Sequence, residues 1–160
     1  MTFLTIGVAC VVFIAMEPWS RVLHRDAWHG PLYAVHHSHH EPTGPLEAND
    51  LFALAHAVPA ATLIVLGLEF DGWLASIGLG VGCGMTAFGA AYALVHEGLV
   101  HERFPVPFLN RFRWLRRVKA AHQAHHHTGL APYGLFLGLQ ELQAESRAVA
   151  ARKRAERAAT

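Results

Sequence analysis

Three long apolar runs set the terms on which this chain can fold. The first extends from Thr2 to Met16 and continues through Glu17 to about Leu23, the second spans Leu51 to Leu68, and the third spans Trp73 to Val95. A hydrocarbon core about 30 Å thick needs roughly 20 apolar residues of helix to cross it. In that solvent every backbone polar group must be satisfied within the segment, which selects helices. The composition agrees, with 16% charged residues against roughly 25% in soluble domains. The chain is therefore expected to be an all-α integral membrane protein with three to four transmembrane helices. The first run lacks the basic leader and small-residue cleavage site of a signal peptide, so it reads as a membrane helix, slightly short and tilted. Asn49 and Asp50 are expected to cap the second helix, and Pro59 to kink it. The third run carries Gly78, Gly80, Gly82, Gly84 and Gly89. Gly80 and Gly84 suit close helix packing, a reading favoured over room for a rigid ligand.

The charges orient these runs. All 13 Lys and Arg residues fall in 21–25, 103–119 and 147–157, and the turn Glu69-Phe70-Asp71-Gly72 holds none. The positive-inside rule then places the N-terminus outside, residues 21–49 inside, the turn outside and residues 96–160 inside. This topology describes a multi-pass protein of the bacterial inner (cytoplasmic) membrane. A net charge of +1 gives no basic footprint for nucleic acid. Cys10 and Cys83 lie far apart inside apolar stretches, so no disulfide framework or zinc ribbon is implied.

Thirteen histidines then narrow the chemistry. Twelve fall within 24–40 and 96–127, and each cluster repeats one pattern. The first has His24-RDAW-His29 and His36-HS-His39-His40; the second has His96-EGLV-His101 and His122-QA-His125-His126. On a helix, positions i, i+3 and i+4 share a face, so each HxxHH should present three imidazoles to one point. Positions i and i+5 stand about 140° apart on a regular helix. His24 with His29, and His96 with His101, therefore serve one metal only if the helix ends or bends between them. Gly30-Pro31 makes such a bend plausible; the alternative is that the two serve different metals. Ten imidazoles divide into five per ion for a di-metal site, and neutral imidazole suits iron, zinc, copper and nickel. Both clusters lie at the cytoplasmic side in the topology that the charges give.

Other residues are candidates of lower rank. Ligating histidines usually donate their second N–H to a carboxylate or carbonyl, and Glu17, Asp50 and Glu97 are the second-layer candidates. His37 and His127 read as incidental neighbours of ligands, and His56 as a residue of the second membrane helix. Residues 130–139 are apolar but too short to span, so an interfacial or re-entrant segment is expected. The domain division is 1–140 for the membrane unit and 141–160 for a polar C-terminal helix or tail.

The fourfold histidine pattern resembles that of the fatty acid hydroxylase superfamily of membrane di-metal enzymes. Met16-Glu17, His24 to Gly30, His36-HSHHEP, Leu46-EANDLFA, His96-EGLVH and His122-QAHH are similar to the bacterial β-carotene hydroxylases, over about residues 10–140. The resemblance implies non-haem iron, two Fe ions held by the ten pattern histidines, with Zn the alternative occupant of a purified sample. It implies O2 as co-substrate, a ferredoxin-like electron donor, a carotenoid or other lipid substrate, and hydroxylation of β-ionone rings at C3 and C3′. Glu97 stands where that family usually has Asp, while the ligand positions are unchanged. Two rival readings follow from the residues: a fatty acyl or sterol hydroxylase or desaturase with the same metals, and a membrane metal- or haem-binding protein.

Overall fold

The computed structural model describes residues 2–158. In chain order the elements are α1 (Thr2–Val22), a π turn (Leu23–Trp28), α2 (Tyr33–His40), α3 (Asp50–Glu69), α4 (Trp73–Ala93), a second π turn (Leu94–Val100), a 3-10 turn (Pro107–Arg111), α5 (Arg113–Thr128) and α6 (Gly138–Ala158). Among the described residues, three stretches are long and apolar enough to cross a membrane: Thr2–Trp28, Asp50–Glu69 and Trp73–Val100. The chain is a helical membrane protein with three such candidates.

Helix α4 is the centre of the membrane unit, with α1 against one side and α3 against another. Its glycines explain how. A Cβ on Gly80 would stand 2.7 Å from the Thr5 carbonyl oxygen, and one on Gly84 would stand 2.6 Å from that of Ala9. Gly82 meets Ala60 of α3 at 2.6 Å in the same sense. Backbones this close gain dispersion contacts that larger residues would block. Gly89 is different, with nothing within 4 Å of the place a Cβ would take. The outer faces carry exposed Ile6, Val11, Ile14, Leu54, Val58 and Leu68, as a lipid-facing surface should.

Helix α3 runs on through Pro59, and no side chain caps its N-terminus. The expected caps have other partners: Asn49 Oδ1 accepts from His36 Nδ1 at 2.7 Å, and Asp50 Oδ2 accepts from the Glu47 N–H at 3.1 Å. The two HxxxxH segments also depart from expectation. Each is a π turn that ends with its second histidine as the C-cap, in which the His29 N–H reaches the His24 carbonyl and the His101 N–H reaches that of His96, both at 2.9 Å. The i→i+5 bond brings position i+5 round toward position i. Gly30 closes the first turn, because a Cβ there would lie 2.3 Å from the Asp26 carbonyl oxygen. Glu102 closes the second with a left-handed φ of 57°, so that the Arg103 N–H bonds back to Glu97 O at 2.9 Å.

Residues 130–137 are too short to span; Leu130 and Leu137 at the ends are exposed, while Pro132, Gly134 and Leu135 between them are buried. They form an irregular loop beneath the histidines, with Leu135 packed in a core of Val95, Leu99, Val100, Val106, Leu115 and Val118. Helix α6 is exposed from Gln143 to Arg152. Its first turn is not: Glu141 accepts the backbone N–H groups of Tyr133 and Gly134 at 3.0 and 3.1 Å and pairs with Arg21 at 3.0 Å.

Candidate metal centre

The ten pattern histidines meet at one end of the bundle, in two groups of five. The first holds His24, His29, His36, His40 and His125; the second holds His39, His96, His101, His122 and His126. Within each group the ligand nitrogens lie within 4.8 Å of one another, an arrangement that can hold one metal ion. The π turns place both histidines of each HxxxxH in the same group. The HxxHH motifs do not each point to one place. In α2, His36 and His40 join the first group while His39 joins the second; in α5, His122 and His126 join the second while His125 joins the first. The expectation missed this because i+3 and i+4 stand about 100° apart on a helix, wide enough to serve two neighbouring points.

The tautomers follow from the outer contacts. His24 Nδ1 donates to Tyr133 O at 2.7 Å, His125 Nδ1 to Leu130 O at 2.6 Å and His36 Nδ1 to Asn49 Oδ1 at 2.7 Å. His39 Nδ1 donates to Glu47 Oε2 at 2.7 Å and His96 Nδ1 to Glu97 Oε1 at 2.5 Å. With the proton on Nδ1, each Nε2 presents a lone pair. Three pairs of these nitrogens face one another: His24 and His36 at 3.0 Å, His24 and His125 at 3.2 Å, and His39 and His96 at 3.2 Å. Lone pairs cannot bond to lone pairs, so the contacts call for a cation. Two nitrogens about 2.1 Å from one ion and at right angles to it stand about 3 Å apart. His101 Nε2 is likewise buried without a hydrogen-bond partner.

Burial keeps the site neutral in protons. Desolvation lowers His36 and His39 to about 4 and His29 and His101 to about 3, and it also lowers His40, His122, His125 and His126. Imidazoles that resist protonation are ready for a metal.

Of the three carboxylates expected behind the ligands, only Glu97 touches a histidine ring. Glu17 turns to the loop, its Oε1 accepting from the Leu137 N–H at 2.8 Å while Oε2 is buried without a partner. Asp50 pairs with Arg103 at 2.7 Å. Arg103 also meets Glu97 at 2.9 Å and Glu47 at 4.0 Å, and donates to Pro45 O at 2.8 Å. Sequence reasoning missed Glu47, Asn49 as a histidine partner, and the carbonyls of Leu130 and Tyr133. Backbone acceptors leave no mark in a sequence, whereas Glu47, in the segment just after the first cluster, could have been considered with Asp50. His37 is exposed and lies 3.6 Å from Glu41; His127 is exposed too.

A cavity of about 620 Å³ ends on this centre. Residues of α1, α3 and α4 line it, and His24 and His36 of the first group share its wall with His39 and His96 of the second. The Trp28 and Phe52 rings stack beside it at 4.8 Å, and Tyr92 lies against His96 at 4.7 Å. His56, on the α3 wall, donates from Nδ1 to Phe52 O at 2.9 Å.

Comparison with known proteins places the chain. It is 46% identical over 144 residues to beta-carotene hydroxylase 1, chloroplastic, of Capsicum annuum, an alignment covering 88% of this chain and 46% of that protein. It is 46% identical over 143 residues to beta-carotene 3-hydroxylase 1, chloroplastic, of Arabidopsis thaliana, covering 88% and 45%. A bacterial relative, the beta-carotene hydroxylase of Pseudescherichia vulneris, is 44% identical over 114 residues, covering 71% of this chain and 62% of that protein. The chain thus spans about half the length of the plant relatives it matches. No solved structure matches it. The fatty acid hydroxylase family pattern matches residues 9–141, which include all ten clustered histidines; the chain belongs to the fatty acid hydroxylase family.

Proposed function

We propose that the chain hydroxylates carotenoid β-ionone rings at C3 and C3′, converting β-carotene to zeaxanthin, with iron held by the two histidine groups. The observation that carries this reading is the apolar cavity that touches both groups at once. A bilayer-dissolved substrate can enter it among the spanning helices without passing through water. The wall contributed by α3 presents Ala53, Ala57, Ala60 and Ala61. Small residues there leave width for a substituted ring, where a single acyl chain would need less. The names of the plant and bacterial relatives point to the same substrate.

Bound iron would supply the activation of molecular oxygen that insertion into an unactivated C–H bond requires. The chain's own residues do the rest. His24, His29, His36, His40 and His125 would hold one ion, and His39, His96, His101, His122 and His126 the other. The Nδ1 contacts fix each ring so that Nε2 stays aimed inward. Trp28, Phe52 and Tyr92 form an aromatic floor that orients the ring and excludes water. Overall, substrate C–H, O2, two electrons and two protons give C–OH and water, the electrons coming from a ferredoxin-class donor. The basic segments near the histidines support a location on the cytoplasmic side of a bacterial inner membrane.

Expression in a bacterium that accumulates β-carotene, followed by pigment chromatography, tests the proposal. Zeaxanthin, with the monohydroxylated intermediate, is expected. Unchanged β-carotene alongside newly hydroxylated fatty acids, from protein that carries its metals, would instead establish an acyl substrate.

A further inference from the structure

The two histidine groups differ in what stands behind them. In the first group every outer acceptor is neutral: Tyr133 O, Leu130 O and Asn49 Oδ1, with His126 O at 3.4 Å from His40 Nδ1. In the second group the acceptors are the carboxylates of Glu47 and Glu97. The surrounding charges follow the same division. Beside the first group Arg21 pairs with Glu141 and Arg25 with Asp26, one to one, and Glu17 bonds to loop backbone. Beside the second, Glu47, Glu97 and Asp50 share the single guanidinium of Arg103. The Glu47 side chain is only 5% exposed, so solvent does little to screen it.

From this asymmetry we infer that the two metal sites are electronically inequivalent, and that Glu47 and Glu97 are positioning residues that make the second five-histidine site the tighter one. Five neutral imidazoles bring no charge to a divalent ion, so the nearest fixed negative charge must offset it. A hydrogen bond from Nδ1–H to a carboxylate is stronger than one to an amide oxygen, and it raises the basicity of the opposite nitrogen. His39 and His96 receive that push; His24, His36 and His125 do not. Arg103 spans the carboxylates and holds them in register, linking the second π turn to the segment before α3. The inference rests on the metal reading of the ten histidines, but it can fail while that reading stands.

The test is Co(II) binding by the full-length, metal-free protein in detergent, with affinity set by chelator competition. The double variant H29A/H40A keeps the second group whole, and H101A/H126A keeps the first. The former should bind its tighter ion about 10-fold or more strongly than the latter. Adding Glu97→Gln should loosen that ion about 10–100-fold, the usual cost of losing an outer partner, while leaving H101A/H126A unchanged. Asn49→Asp should tighten binding in H101A/H126A. Equal affinities, or an equal loss on Glu97→Gln in both backgrounds, would overturn the inference with the metal reading intact; no binding in any form would remove both. If the double variants fail to fold, Mössbauer spectra of the iron-loaded protein decide the matter. Two distinct iron environments, one of which moves in E97Q, support inequivalence, and a single environment overturns it.

Discussion

Protons on the buried imidazoles govern both stability and loading. Desolvation holds His36 and His39 at about 4, and His29 and His101 at about 3, in the folded chain. The same rings titrate near 6.5 when solvated. Below about pH 6.5 the unfolded chain takes up protons that the folded chain refuses, so folding weakens as pH falls from there toward 4. The thermal midpoint of metal-free protein in detergent should therefore drop steadily between pH 6.5 and 4.5; a flat profile would contradict the burial argument. A second test separates ligands from neighbours. His39→Ala should cost the ion of the second group and abolish turnover, whereas His37→Ala, at an exposed position beside Glu41, should keep its metals and most of its activity. Metal content per folded protein, measured alongside product, checks both. The ten positions were legible because the pattern repeats. Their division was not, because spacing alone cannot say where on a helix face the point of convergence lies.

At the level of elements, the three long helices were legible almost to the residue, since apolar length is what a bilayer demands. The π turns were not. An i→i+5 bond has no sequence signature apart from the HxxxxH spacing itself, which on a regular helix argues against convergence. Gly30 is the exposed weak point of the first turn. Gly30→Ala would press a methyl group against the Asp26 carbonyl, costing roughly 1–3 kcal/mol of the kind seen on overpacking. It should lower occupancy of the first site and leave the second filled; two full ions in G30A would show that the turn tolerates relaxation. The loop at 130–137 was read by its apolarity as an interfacial piece. Its middle is buried beside the histidines, where Glu17 and Glu141 meet its backbone, a long-range pairing that no local pattern announces.

At the level of the whole molecule, the glycines of α4 do two jobs, separated by depth. Gly80, Gly82 and Gly84 let the helices touch, while Gly89 faces open space and lines the cavity. Gly89→Leu should accordingly fold and load its metals normally, yet lose β-carotene turnover by about 10-fold or more, in line with what a badly filled pocket costs. If G89L loses metal as well, the cavity and the centre are not separable. The crossing of ligands has a further consequence. Because α2 and α5 each give histidines to both groups, the gap between the two centres is set by the angular step between neighbouring residues on a rigid helix. The fold therefore acts as a fixed gauge. If the two groups hold ions, exchanging one ion for another of different radius should stretch individual bonds rather than move one centre relative to the other, because both share the same helices.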